Sequence, residues 1–133
     1  MTAHARGPFE VKLTPLTDAG AEPGLGRMSA EKQYHGDLEG TGKGQMLTAG
    51  SVAKGSAGYV AMELFSGKLA GHTGTFFLQH SGTIDHGAQY LSITVVPGSG
   101  TGEFEGLTGK MNIIFGEGGK HSYDFEYTVE KSK

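Results

Sequence analysis

The sequence predicts an all-β fold, an eight-stranded antiparallel up-and-down barrel. Apolar and polar residues alternate with a period of two along most of the chain, and apolar stripes with the 3.6-residue period of a helix are scarce. Glycine accounts for 24 of the 133 residues, which indicates tight turns and strongly curved strands. Sequential strands with short connections favour a barrel, and a two-sheet β-sandwich is the alternative with the same spacing.

Eight segments show this strand pattern, separated by short glycine-containing turns or by longer loops at 15–24 and 48–57. In the first segment Phe9, Val11 and Leu13 share one face. For the second and third segments the sequence does not decide which face points inward. The eight predicted strands are residues 7–14, 25–35, 38–47, 58–69, 73–82, 88–97, 103–115 and 121–130.

The last three segments alternate most clearly, so their inward faces are predicted directly. The apolar face of 88–97 carries Leu91, Ile93 and Val95, that of 103–115 carries Leu107, Met111, Ile113 and Phe115, and that of 121–130 carries His121, Tyr123, Phe125, Tyr127 and Val129.

Length and composition limit the class of protein. The chain is expected to form one barrel domain over 1–133, with loose tails at 1–6 and 131–133. The formal net charge is −3 and no basic run exceeds two residues, so no nucleic-acid partner is expected. No apolar run approaches membrane-spanning length and no signal-peptide pattern is visible, so no membrane partner and a cytoplasmic location are expected. Cysteine is absent, which excludes disulfides and thiolate ligands.

One predicted hairpin places two ionisable residues inside the barrel. If Gly71 and His72 form a type II′ turn, Glu63 lies opposite His80 and Phe65 lies opposite Leu78. The face that carries them is mainly apolar, so a carboxylate and an imidazole would meet within an apolar wall.

A second predicted hairpin uses the loop 116–120. It pairs three inward residues of one strand with three inward residues of the next. In an up-and-down barrel the loop 116–120 lies at the same end as the loops 83–87 and 48–57. The pairs are Phe115 with His121, Ile113 with Tyr123 and Met111 with Phe125, and the residues expected to converge near that mouth are Glu63, His80, His121, Tyr59 and Tyr123.

Four blocks of the sequence resemble a bacterial family of unknown function, DUF3224. They are GYVAMELFSGKLAG (58–71), TFFLQHSGT (75–83), VVPGSGTGEFEGLTG (95–109) and DFEYTV (124–129). That family is grouped with allene oxide cyclase-like and dirigent-like barrels. The resemblance implies an eight-stranded allene oxide cyclase-like barrel with a central cavity, and relatives in the wider group bind apolar or polyene-derived ligands and steer cyclisation or radical coupling without a cofactor.

The leading functional hypothesis is a barrel that binds an apolar or amphipathic small molecule. An inner face rich in aromatic and aliphatic residues, with a few convergent polar groups, is typical of ligand sites. No cofactor is expected. The predicted ligand-binding residues are Tyr59, Phe65, Phe76, Leu78, Met111, His121, Tyr123 and Phe125.

Two alternatives remain open. In the first, the protein is a cofactor-free isomerase or cyclase in which Glu63, with a pKa raised by its apolar surroundings, acts as acid or base and His80 orients it. In the second, side chains fill the barrel of a structural module that forms a homo-oligomer through outward Tyr90, Val96 and Phe104.

A metal site is not favoured. His80, His121, His86 and Asp85 carry suitable ligand atoms for zinc or iron, but their spacing matches no metal-binding motif.

Overall fold

A computed structural model describes residues 2–16 and 24–130 of the chain and confirms the predicted fold class. Eight antiparallel strands form one closed barrel in which each strand pairs with its sequence neighbours, and β1 pairs with β8 to close it. The strands are β1 (Ala3–Pro15), β2 (Leu25–Tyr34), β3 (Leu38–Ser51), β4 (Ser56–Leu69), β5 (His72–Asp85), β6 (Ala88–Val95), β7 (Leu107–Phe115) and β8 (His121–Val129).

In the part of the chain that the structure describes, three single-turn 3-10 helices lie between strands, at Val52–Lys54, Gly102–Phe104 and Glu117–Gly119. No helix among the described residues has the length and apolar character needed to cross a membrane.

The first strand begins earlier than expected. Ala3 is its first residue, so the predicted loose tail at 1–6 is wrong over 3–6. Ala5 is buried opposite Phe125, because this end of β1 pairs with β8 and closes the sheet. The segment 131–133 lies outside the described residues, as do residues 17–23 of the predicted loop 15–24.

The connection between β3 and β4 is shorter than predicted. The two strands stay paired as far as Ser51 and Ser56, so the expected loop 48–57 contracts to residues 52–55.

The prediction that 103–115 is one strand with an outward Phe104 is also wrong. The segment Gly102–Phe104 is a helical turn, and the buried Phe104 ring packs edge-on against Phe76 at 5.5 Å. Phe104 therefore belongs to the core. Tyr90 is 66% exposed, and an interface between copies stays a prediction that light scattering would test.

The β4–β5 register differs from the predicted one by two residues. The turn is Ala70–Gly71, both with positive φ (52° and 82°) as a type I′ turn requires, and Leu69 pairs with His72. Glu63 thus lies opposite Leu78, and His80 lies one pair further along on the same face. A shift of two residues preserves the face of every side chain, so both groups still point inward.

The β7–β8 register is confirmed, with Phe115 opposite His121 and Met111 opposite Phe125. The open question of the β2 face is also resolved. Its even-numbered residues face the interior, including Lys32 and the fully buried Tyr34.

The barrel has two ends that differ in their filling. We call the end with the turns 35–37 and 70–71 and the connection 96–106 the closed end, because large side chains fill the barrel there. The end with the connections 52–55, 86–87 and 116–120 is the open end.

Candidate functional site

Aromatic side chains fill the closed half of the barrel, and we call them the aromatic plug. Their ring centroids lie 5.0–5.7 Å apart, in stacked and edge-on arrangements that are favourable for aromatic pairs. The plug forms a solid floor across the interior. Its members are Tyr34, Phe65, Phe76, Phe104, Tyr123 and Phe125.

The hydroxyl of Tyr123 binds the β2–β3 turn at the closed end. It donates to the carbonyl oxygen of His35 at 2.6 Å and accepts from the backbone N–H of Leu38 at 2.7 Å. Burial raises the pKa of Tyr123. The hydroxyl therefore satisfies two backbone groups of the turn and does not reach the open end.

A cavity occupies the open half of the barrel. Its inner chamber has a volume of about 170 Å³, and its outer chamber, nearer the open end, has a volume of about 450 Å³. The two chambers share Leu13, Met46, Tyr59, Leu91 and Phe115, so they adjoin each other. The inner chamber is also lined by Phe9, Val11, Ala30, Lys32, Ala61, Glu63, His80, Ile93, Ile113 and His121.

A buried carboxylate stands where the inner chamber meets the aromatic plug. Glu63 Oε1 accepts from His80 Nε2 at 2.8 Å, and Glu63 Oε2 accepts from the hydroxyl of Tyr34. Lys32 Nζ lies 3.1 Å from the same Oε1. Four side chains from β2, β4 and β5 thus form one polar cluster, which we call the Glu63 cluster.

The ammonium of Lys32 is nearly buried, with 11% of the side chain exposed. Besides Glu63, it lies over the rings of Phe9 and Tyr34, with Nζ 5.1 Å and 5.8 Å from their centroids. A cation over an aromatic face is stabilised by the ring quadrupole, and more so when water is excluded.

The cluster holds Glu63 in its ionised form. Burial raises the pKa of this carboxyl, but the hydrogen bond from His80, the Lys32 charge and the Tyr34 hydroxyl together outweigh burial and lower its pKa to about 2. The predicted raised pKa is therefore wrong, because the sequence argument placed only His80 beside the carboxylate. Burial, and then the Glu63 charge, raise the pKa of Tyr34, so its hydroxyl stays a donor.

The space for the carboxylate depends on a glycine in the neighbouring strand. A Cβ on Gly42 would overlap Glu63 Oε2 and come within 2.8 Å of its Cδ and 3.0 Å of the Tyr34 ring. We predict that Gly42→Ala lowers the free energy of unfolding by about 1–3 kcal/mol, the usual cost of overpacking a filled interior.

Gly58→Ala is the matched control for this prediction. A Cβ on Gly58 meets nothing closer than 3.7 Å, and this glycine also lies within a paired strand. Urea unfolding of both variants measures the difference. Equal stability of the two variants would show that Gly42 does not make room for the carboxylate.

The predicted site residues divide between the two halves of the barrel. Glu63 and His80 come together as predicted, although they are diagonal neighbours rather than directly opposite. Tyr59 and His121 line the cavity, and the Tyr59 ring covers Gly82. The other six predicted ligand-binding residues lie in or beside the aromatic plug, and none lines the cavity that the described residues define: Phe65, Phe76, Leu78, Met111, Tyr123 and Phe125.

Sequence reasoning missed Lys32 and Tyr34. The signal that could have found them is the spacing of Met28 and Ala30, which share a strand face with both residues. A lysine with an apolar stem on such a face can pair with an interior carboxylate.

No group of three or more histidine, aspartate or glutamate side chains is arranged to hold a metal ion within 2–16 and 24–130. His86 and Asp85 pair with each other at 2.7 Å on the exposed β5–β6 turn, whereas His121 lies against Phe9 and Phe115 inside the mouth.

Comparison with known proteins gives a family match and a structural match. Residues 5–127 match the family described as "Protein of unknown function (DUF3224)". The crystal structure of a protein with unknown function from the DUF3224 family of Shewanella oneidensis MR-1 is similar, with a TM-score of 0.91 and 44% sequence identity over 99% of this chain and 100% of that one. No curated protein matches. With the closed barrel described above, these matches show that the chain belongs to the DUF3224 family.

Proposed function

We propose that the protein binds one apolar or amphipathic small molecule in the open half of the barrel. The observation that carries this proposal is the uneven filling of the interior, where a solid aromatic plug gives way to an apolar cavity that reaches the open end. An eight-stranded barrel is wide enough either to be filled by side chains or to hold one small ligand. Here side chains fill only one half.

The dimensions and lining of the cavity support this proposal. The outer chamber, at about 450 Å³, falls within the usual 300–1,000 Å³ of small-molecule sites. Its wall is aliphatic and aromatic, with Leu13, Met28, Met46, Ile84 and Phe115 among its members. Burying an apolar tail there is favourable by about 25 cal/mol per Å² removed from water.

The isomerase or cyclase alternative receives less support from the Glu63 cluster. A general acid or base acts best when its pKa lies near the working pH, whereas the pKa of Glu63 is lowered to about 2. As a permanent anion, Glu63 can hold Lys32, His80 and Tyr34 in place. We therefore assign it a positioning role in a binding site.

Titration with N-phenyl-1-naphthylamine, an uncharged dye that fluoresces in apolar surroundings, tests the proposal. We expect saturable binding of one dye per chain. Ala61→Leu, which adds apolar volume to the inner chamber, should weaken dye binding at least tenfold. The absence of saturable binding to the wild-type protein would overturn the proposal.

Val60→Leu is the matched control, because Val60 precedes Ala61 and points outward with 53% of its surface exposed. Its dye affinity should stay within twofold of the wild type. Equal weakening in both variants would place the dye on the outer surface and contradict a site inside the barrel.

A further inference from the structure

The donor and acceptor balance of the Glu63 cluster specifies the head group of the ligand. An ammonium has three N–H donors, and within the described part of the chain the acceptor beside Lys32 Nζ is Glu63 Oε1. Nζ also lies over the faces of two aromatic rings. Because Lys32 lines the inner chamber, its other N–H donors are available to a ligand oxygen.

His80 contributes a complementary group. Its Nε2 contacts the ionised Glu63, so this nitrogen carries the proton, and in a neutral imidazole the Nδ1 atom is then an acceptor. Its side chain is 6% exposed and also lines the inner chamber. The chamber floor thus offers strong donors from Lys32, with the His80 ring also at the chamber.

The charges of Lys32 and Glu63 balance each other. Glu63 carries one negative charge and Lys32 one positive charge at 3.1 Å, and the Tyr34 hydroxyl is neutral. A ligand carboxylate would bring a second anion beside Glu63 in an apolar cavity, where an uncompensated charge is costly. An uncharged oxygen accepts a hydrogen bond from Lys32 without this cost.

We propose, building on the proposed function, that the ligand carries an uncharged carbonyl or hydroxyl oxygen that binds Lys32 at the floor of the inner chamber. The apolar remainder of the molecule extends along Val11, Ile93 and Ile113 toward the open end.

Competition against N-phenyl-1-naphthylamine tests this inference with three ten-carbon compounds, decan-2-one, decan-1-ol and decanoate at pH 7.5. We expect the ketone and the alcohol to displace the dye at concentrations at least tenfold below that of decanoate. Lys32→Met should weaken ketone and alcohol binding at least tenfold more than it weakens dye binding, because the dye has no oxygen that could accept from Lys32. Each compound is compared between the wild type and Lys32→Met, so that differences in hydrophobicity between the compounds do not affect the result.

A second variant covers the case in which Lys32→Met does not fold, because Lys32→Met alone leaves the buried Glu63 carboxylate without its cation. Lys32→Met combined with Glu63→Gln removes both charges of the ion pair, and the amide oxygen can accept from His80 while the amide N–H donates to the Tyr34 hydroxyl. The same loss of ketone and alcohol affinity is expected, with the thermal midpoint as the check on folding. Retained ketone affinity in this variant, or a wild-type preference for decanoate, would overturn the uncharged head group. If neither the dye nor any competitor binds, the proposed function itself fails.

Discussion

Glu63→Ala should lower the free energy of unfolding by about 3–5 kcal/mol, the largest effect we expect from a single substitution in the cavity. Removing one partner of a buried ion pair leaves the other charge without compensation, and this usually costs that amount. Here Lys32 would lose its carboxylate, and the hydrogen bonds from His80 and Tyr34 would lose their acceptor. Urea denaturation near neutral pH measures the change.

Glu10→Ala is the matched control. Glu10 also contacts a histidine, His35, at 2.9 Å, but 68% of its side chain is exposed, so its loss should cost less than about 1 kcal/mol. Glu63→Ala combined with Lys32→Met should recover part of the lost stability, because the ammonium is removed as well. A loss below about 1 kcal/mol in Glu63→Ala would show that the cluster does not stabilise the fold.

The second large effect is a loss of stability in acid. The folded protein holds the pKa of Glu63 at about 2, below its ordinary value of 4.5, so between these values the unfolded chain binds more protons than the folded one. The stabilisation is complete above pH 4.5 and is lost as the pH falls toward 2. Its size is about 3 kcal/mol.

Glu63→Gln isolates this effect, because the carboxyls of Glu103 and Asp124, whose pKa values are lowered by hydrogen bonds from His72 and His4, remain in both proteins. The difference in unfolding free energy between wild type and variant should shrink by about 3 kcal/mol from pH 5 to pH 2. Parallel stability curves over this range would contradict an ionised Glu63 held by its neighbours.

Alternation with a period of two residues was sufficient to predict the inward faces of β4 to β8, whereas those of β2 and β3 were left undecided. The inward orientation of Glu63 and His80 was therefore predicted correctly although the β4–β5 turn was not. In that turn Ala70 adopts a positive φ that is uncommon outside glycine. Turn type depends on the backbone of one or two residues, and Gly71 permits either the type II′ or the type I′ turn.

The Glu63 cluster could be predicted only in part. The pKa of Glu63 depends on Lys32, which lies two strands away from it along the sheet, and alternation alone does not reveal a contact made across the barrel interior. Likewise Phe104 follows a glycine-rich segment whose sequence is compatible with the start of a strand as well as with a helical turn. Its burial depends on the Phe76 ring that it covers.

Methyl NMR with decan-2-one tests most directly whether a ligand occupies the barrel interior. The chain has adjacent isoleucines that face opposite ways, Ile113 in the inner chamber and Ile114 outside with 50% exposure, and Ile93 also lines the chamber. We predict saturable shifts of the Ile93 and Ile113 δ1-methyl signals while Ile114 stays unchanged. Shifts at Ile114 alone, or none at any isoleucine, would contradict a ligand in the cavity.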